Sequence, residues 1–253
     1  MFWKSKIMMI SSKRNRYLTS SILAACLYCL VAAAQEPAPN TTEWENETLK
    51  LRLFYPSDMV KGDPSEVMRE GQINLPGLTG IGDAKSAEAV RCLRPALVLQ
   101  LPHSSPIQKA QPAEDGATQI TVTPAVNATI LLAELDLNCL NAERAAKSTT
   151  LLDDMAEIVN KAAGMTSTAQ PSTYTIGWQK VHMAAAQGQQ SGQQGAAPVY
   201  TMGLSTNWNS HLLVWYFSSS SIETLNRITK TTVRFGNDHA APLYPLTVGN
   251  SSQ

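Results

Sequence analysis

The sequence predicts an α/β (α+β) domain, a mainly antiparallel sheet sandwiched by helices with a C-terminal closing helix, and three observations carry that expectation. Seven segments have the alternating or continuously apolar pattern of strands, and the last ones follow each other with little but turn residues between. Two segments carry a helical apolar stripe: Leu151, Leu152, Met155, Ile158, Val159 and Ala162 in one, Ile222, Leu225, Ile228, Thr229 and Thr232 in the other. One strand, His211 to Ser218, is apolar on both sides, with Leu212, Val214 and Tyr216 against Leu213, Trp215 and Phe217. Such a strand needs cover on both faces.

The chain opens with Lys4, Lys6, Lys13, Arg14 and Arg16, then an apolar run from Leu18 to Val31, then three alanines. A basic start, an apolar run too short to span a bilayer and a small-residue exit read as a secretory signal, residues 1–34, cleaved after Ala34. Two alternatives share these residues. Leu23-Ala24-Ala25-Cys26 matches a bacterial lipobox, which would anchor the protein by lipid on Cys26, and an uncleaved signal would remain as an N-terminal anchor.

The 253-residue chain has 20 basic and 20 acidic residues, but the signal holds five basic residues and no acidic one. Fifteen basic residues against twenty acidic ones leave the mature chain at a net charge of −5. That balance offers no electrostatic footprint for nucleic acid or anionic lipid. Of four cysteines, Cys26 and Cys29 belong to the signal, so Cys92 and Cys139 remain to form one disulfide in an oxidising compartment; two buried free thiols are the alternative. Asn40, Asn46, Asn127 and Asn250 each sit in an N-x-[ST] sequon, which matters only in a eukaryotic secretory pathway.

Residues 35–48, with Pro37 and Pro39, read as a flexible leader, and the domain is expected over residues 49–236 with a tail at 237–253. "LKLRLFYP" alternates as a half-buried strand from Leu49 and ends at Pro56. Asp83 is placed to cap a short helix from Ala84 to Leu93. Strands are expected at Ala96 to Leu101, Thr118 to Thr123 and Thr129 to Leu137, with a Pro-rich surface excursion after the first. The helix from Ser148 to Ala163 carries Asp153 and Asp154 to complement its positive end and stops at Gly164. Three strands follow, Thr173 to Ala186, Val199 to Asn207 and His211 to Ser218, the first two joined by a Gln/Gly-rich tip and the last two by the tight turn Asn209-Ser210. Ser220 and Glu223 form a capping box that starts the last helix.

The order of apolar strand, serines, helix and "TTVRFG" resembles the C-terminal unit of the PsbP-like superfamily, and "LRLFYPSDM" is similar to its first strand with a following "YP" step. The segments "CLRPALVLQLPH", "LLAELDLNCL", "IGWQKVHM" and "TKTTVRFG" look closest to uncharacterised secreted bacterial members. The resemblance implies an α/β/α arrangement and no shared catalytic residues. It covers Leu49 to Gly236 at the level of pattern.

Chemistry-bearing motifs are sparse. No G-x-S-x-G elbow or phosphate-binding glycine pattern is present, and His103, His182, His211 and His239 lack metal-ligand spacing. No catalytic residue, metal ligand or cofactor site is therefore assigned. Trp178, His182, Trp208 and His211 lie on or beside consecutive strands and are candidates to converge as a ligand patch for a sugar or hydrophobic ligand; the favoured reading puts the tryptophans in the sheet-to-helix core and the histidines at strand edges. The expected function is a secreted or periplasmic, non-enzymatic binding or scaffold domain whose partner is an unknown protein or envelope component. A secreted hydrolase with dispersed catalytic residues, marked by a Ser–His or His–carboxylate contact in a cleft, is the alternative.

Overall fold

The structure, a computed structural model, describes residues 40–102, 107–112, 118–123, 128–192 and 195–246. The signal, Cys26, the cleavage point, His103, Asn127, Asn250 and the end of the tail lie outside them. In chain order the elements are β1 (Thr41–Asn46), β2 (Leu51–Pro56), β3 (Val60–Lys61), α1 (Pro64–Val67), β4 (Met68–Arg69), β5 (Gln72–Ile73), α2 (Ala84–Arg91) and β6 (Leu93–Gln100). They continue with β7 (Ile107–Pro112), β8 (Thr118–Thr123), β9 (Ala128–Leu135), α3 (Ala142–Ala145), α4 (Ser148–Ala156), α5 (Ile158–Lys161) and β10 (Met165–Ser167). Last come β11 (Ser172–Ile176), β12 (Gln179–Gly192), β13 (Gly195–Trp208), β14 (His211–Ser219), α6 (Ile222–Ile228), β15 (Thr232–Phe235) and β16 (Ala241–Pro242).

The main sheet runs β10-β12-β13-β14-β9-β6-β3, with β11 also on the outer edge of β12, and its pairings are antiparallel. The doubly apolar strand β14 lies inside it between β13 and β9, as its composition requires. Leu213, Trp215 and Phe217 enter one core, and Leu212, Val214 and Tyr216 enter the other. The second core is closed by α2, α4 and α5 through Ala89, Val90, Leu151, Met155 and Ile158. On the other face a helix shares the cover with strands. The first core is closed by a small sheet, β1-β2-β15-β16, together with Leu225 and Ile228 of α6. The fold is thus α+β with a mostly antiparallel sheet, and the described residues continue after α6 into β15 and β16.

Both predicted margins of the domain contain strand residues. The leader contains β1, paired residue by residue with β2 from Thr41↔Pro56 to Asn46↔Leu51. The tail contributes β16, and Leu243 and Tyr244 beyond it are buried. The expected strand from Thr173 to Ala186 is a hairpin: β11 and β12 pair from Ser172↔Met183 to Ile176↔Gln179, leaving Gly177-Trp178 as the turn. The Gln/Gly tip is mostly strand, since β12 and β13 pair out to Gly192↔Gly195. Part of the expected surface excursion, Ile107–Pro112, pairs with β8 as a separate ribbon.

Helix expectations shift in similar ways. Asp83 caps α2, its carboxylate accepting from Ser86 N at 3.0 Å, as expected. The helix expected over residues 148–163 breaks at Glu157 into α4 and α5, and Asp153 lies beyond the first turn of α4, so it does not serve as a dipole partner. The cap of α6 is Ser221, not Ser220: its hydroxyl oxygen accepts from Thr224 N at 3.4 Å and its proton goes to Glu223. Cys92, at the end of α2, and Cys139, just beyond β9, form a disulfide with Cα atoms 5.5 Å apart. The described residues make one compact unit.

Candidate functional site

Four turns meet at one end of the domain. In the β13–β14 turn Asn209 and Ser210 take φ +49° and +66°, the two positive values of a type I′ hairpin. Trp208, just before it, donates from Nε1 to the Leu49 carbonyl at 2.7 Å, and Asn209 Nδ2 reaches the Thr48 carbonyl at 3.5 Å, which ties this turn to the one joining β1 and β2. The chain after β15 closes the group: Gly236 N donates to the Lys50 carbonyl at 2.9 Å, and a Cβ on Gly236 would lie 3.3 Å from the Trp208 ring. The fourth turn, Gly177-Trp178, stands beside it, since a Cβ on Gly177 would lie 3.7 Å from Asp238 Oδ2.

Trp178 is the most conspicuous side chain of this end. Gly177 takes φ +57° at the first turn position, where a two-residue hairpin favours glycine, and the indole that follows is 91 % exposed. β11 is held from behind by Tyr174, whose hydroxyl donates to the Leu243 carbonyl and whose burial, with Tyr244 nearby, raises its pKa well above the ordinary tyrosine value. A large apolar ring in water on a paired hairpin is an interaction group with its ordering already in place. Two grooves involve its neighbours, although Trp178 lines neither. One, of about 560 Å³, is lined by Glu45, Lys50, Arg52, Arg234, Asp238 and His239 among others; the other, of about 490 Å³, by Asp153, Gln179, Lys180, His182 and Asn207 among others.

The candidate patch does not form as one surface. Strand alternation puts Trp208 and His211 on the face of the first core, directly paired across β13 and β14. His182 points the other way, between Val181 and Met183, which face the first core. Trp208 packs on Phe235 with ring centroids 5.1 Å apart and is structural. Of the four, Trp178 alone stands free in solvent.

Both histidines instead hold carboxylates. His182 Nδ1 lies 2.5 Å from Asp153 Oδ1 of α4, and His211 Nδ1 lies 2.5 Å from Glu134 Oε1 of β9. An ionised carboxylate only accepts, so each Nδ1 carries a proton. The His182–Asp153 contact is the feature a hydrolase would need, and Ser205 sits across from His182 in register. Yet Ser205 is fully buried and donates to the Leu152 carbonyl at 2.5 Å, so its hydroxyl ties α4 to the sheet and is not aimed at an imidazole. Among the described residues no group of three or more His, Cys, Asp or Glu is arranged to hold a metal ion, and no helix is long and apolar enough to cross a membrane.

No protein-family model matches the chain, and no curated protein matches it significantly. The site therefore rests on geometry alone.

Proposed function

We propose that this is an exported, non-enzymatic binding domain that docks an envelope component or partner protein through the end of the sheet carrying Trp178. The observation that carries the reading is Trp178, 91 % exposed on the two-residue turn of the paired β11–β12 hairpin. Tryptophan is enriched among residues that dominate binding energy, and a polar rim is the usual surround. The Cys92–Cys139 bond supports an oxidising compartment, in keeping with a signal removed after Ala34. Kinship with PsbP-like proteins belongs to the same proposal, supported by the succession of apolar strand, serine-capped helix and closing strand at the C-terminal end.

The test is co-sedimentation of the purified mature protein with isolated cell envelopes, wild type against Trp178→Ala. Loss of a central aromatic contact of about 2 kcal/mol or more lowers affinity roughly 30-fold or more. Thermal stability should stay unchanged, because the ring packs on nothing. Equal sedimentation of the two proteins refutes the reading.

A further inference from the structure

The outer face of the small sheet has an unbalanced charge row. Register places Glu45 beside Arg52 and Arg52 beside Arg234, so the three strands β1, β2 and β15 present one carboxylate and two guanidinium groups in line. Arg52 takes both nearby carboxylates: its Nε donates to Glu45 at 2.9 Å, and its terminal nitrogens lie 2.8 Å from Glu45 and 3.5 Å from Glu43. Among the described residues no carboxylate lies within ion-pair distance of Arg234. Its Nε is buried without a protein acceptor, and its guanidinium carbon sits 5.5 Å from the centre of the Phe54 ring. Like charges directly opposite on neighbouring strands repel, and β16 gives no relief because it pairs only with Thr232 and Val233. The row lacks an anion next to Arg234.

That position opens into the 560 Å³ groove, where Lys50, Asn237 and His239 add donors and Glu45, Glu47 and Asp238 add acceptors. We propose that this groove binds a saccharide bearing a carboxylate, the carboxylate on Arg234 and a sugar ring against Trp178. Planar guanidinium matches carboxylate in a forked pair. Three lining carboxylates repel a polyanion and favour a ligand with few charges. Asp238 of the lining is the residue that a Cβ on Gly177 would approach to 3.7 Å, so the turn carrying the exposed Trp178 borders the groove, and polar acceptors with a flat ring at the border suit the hydroxyl groups and the C–H face of a sugar. The proposal rests on the binding role of Trp178 and adds the ligand class.

The experiment titrates the mature protein with methyl glucuronide, methyl glucoside and N-acetyl-Ala-Ala, following Trp178 fluorescence against a Trp178→Phe control and the Nε–H signal of Arg234 by NMR. The glucuronide should move both signals and bind at least ten times tighter than the glucoside. Arg234→Met, which keeps an unbranched side chain and removes the guanidinium, should erase that preference, and Glu47→Gln should strengthen glucuronide binding. Equal binding of the two sugars, a preference that survives Arg234→Met, or tighter binding of the dipeptide overturns the proposal. If Trp178→Ala abolishes envelope binding while Arg234→Met does not, the docking end stands and the carboxylate site falls. If neither change matters, both fall.

Discussion

Gly203→Ala should be among the most damaging single-atom additions in this protein. Gly203 lies on β13 with no positive φ to explain it; the reason is space, because a Cβ would overlap the carbonyl oxygen of Ala156 and sit 3.1 Å from its carbon and 3.2 Å from Val159 Cγ1. The obstacle is helix backbone, so no side-chain rotation relieves it. α4 must lift from the sheet by about 1 Å, an overpacking cost of about 1–3 kcal/mol. Lifting also strains two buried bonds that hold the helix down, Tyr216 hydroxyl to the Met155 carbonyl at 2.7 Å and Ser205 hydroxyl to the Leu152 carbonyl at 2.5 Å. With roughly 1 kcal/mol for each weakened bond, the expected loss is about 3–5 kcal/mol. Urea unfolding of the oxidised protein measures it, and the His182 ring signals should shift because Asp153 travels with α4. A loss below about 0.5 kcal/mol, or recovery of stability on adding Val159→Ala, would refute the argument, since truncating a side chain cannot remove a backbone clash.

Two further outcomes follow from covalent and electrostatic ties. Opening the disulfide with Cys92→Ala and Cys139→Ala together, which frees a loop with ends 47 residues apart, should lower stability by about 2–5 kcal/mol in denaturant titrations; an unchanged midpoint would show the bond to be inconsequential. Hydrogen bonds from Ser86, side chain first and backbone second, hold the Asp83 carboxyl below the usual aspartate range, so its cap stabilises above the unfolded pKa of about 3.9 and is lost as pH falls through the lower folded value. Asp83→Ala should thus cost about 1 kcal/mol at neutral pH, with the gap from wild type closing below about pH 4; a gap that stays constant to pH 2 contradicts this.

What could be read from sequence was local. β14 and the Asn209-Ser210 turn declare themselves, because six consecutive apolar residues admit few other placements and the turn follows at once. Asp83 is equally plain, since a cap and its amide are three residues apart. β1 was hidden: Glu43 and Glu45 face outward and Trp44 is its one large apolar residue, so the segment looks like a polar leader until β2 is beside it. The hairpin at Gly177-Trp178 was hidden by the opposite cause, a strand-like pattern that continues through the bend with one glycine as the mark. At the candidate site, the four residues stand close along consecutive strands in the sequence, but proximity along strands does not say which face each takes, and Trp178 alone is exposed. The partners of His182 and His211 come from a helix and from a strand added on the far side of β14. Arg234 could not be noticed at all, because its want of a counter-ion exists only once β15 lies against β2.

The placement of β14 has a consequence for how the molecule comes apart. Its six apolar side chains form a party wall between two interiors, each about equally dependent on it. Neither interior can melt first and leave the other dry, because losing one cover wets a surface that shares its backbone with the second. Helical layer, main sheet and small sheet are therefore bound into one cooperative transition, and the end carrying Trp178, built from turns of the main sheet and the small sheet, keeps its geometry until the whole unit opens. Partial opening is left to ribbons outside the wall, such as β7 with β8, which pair only with each other.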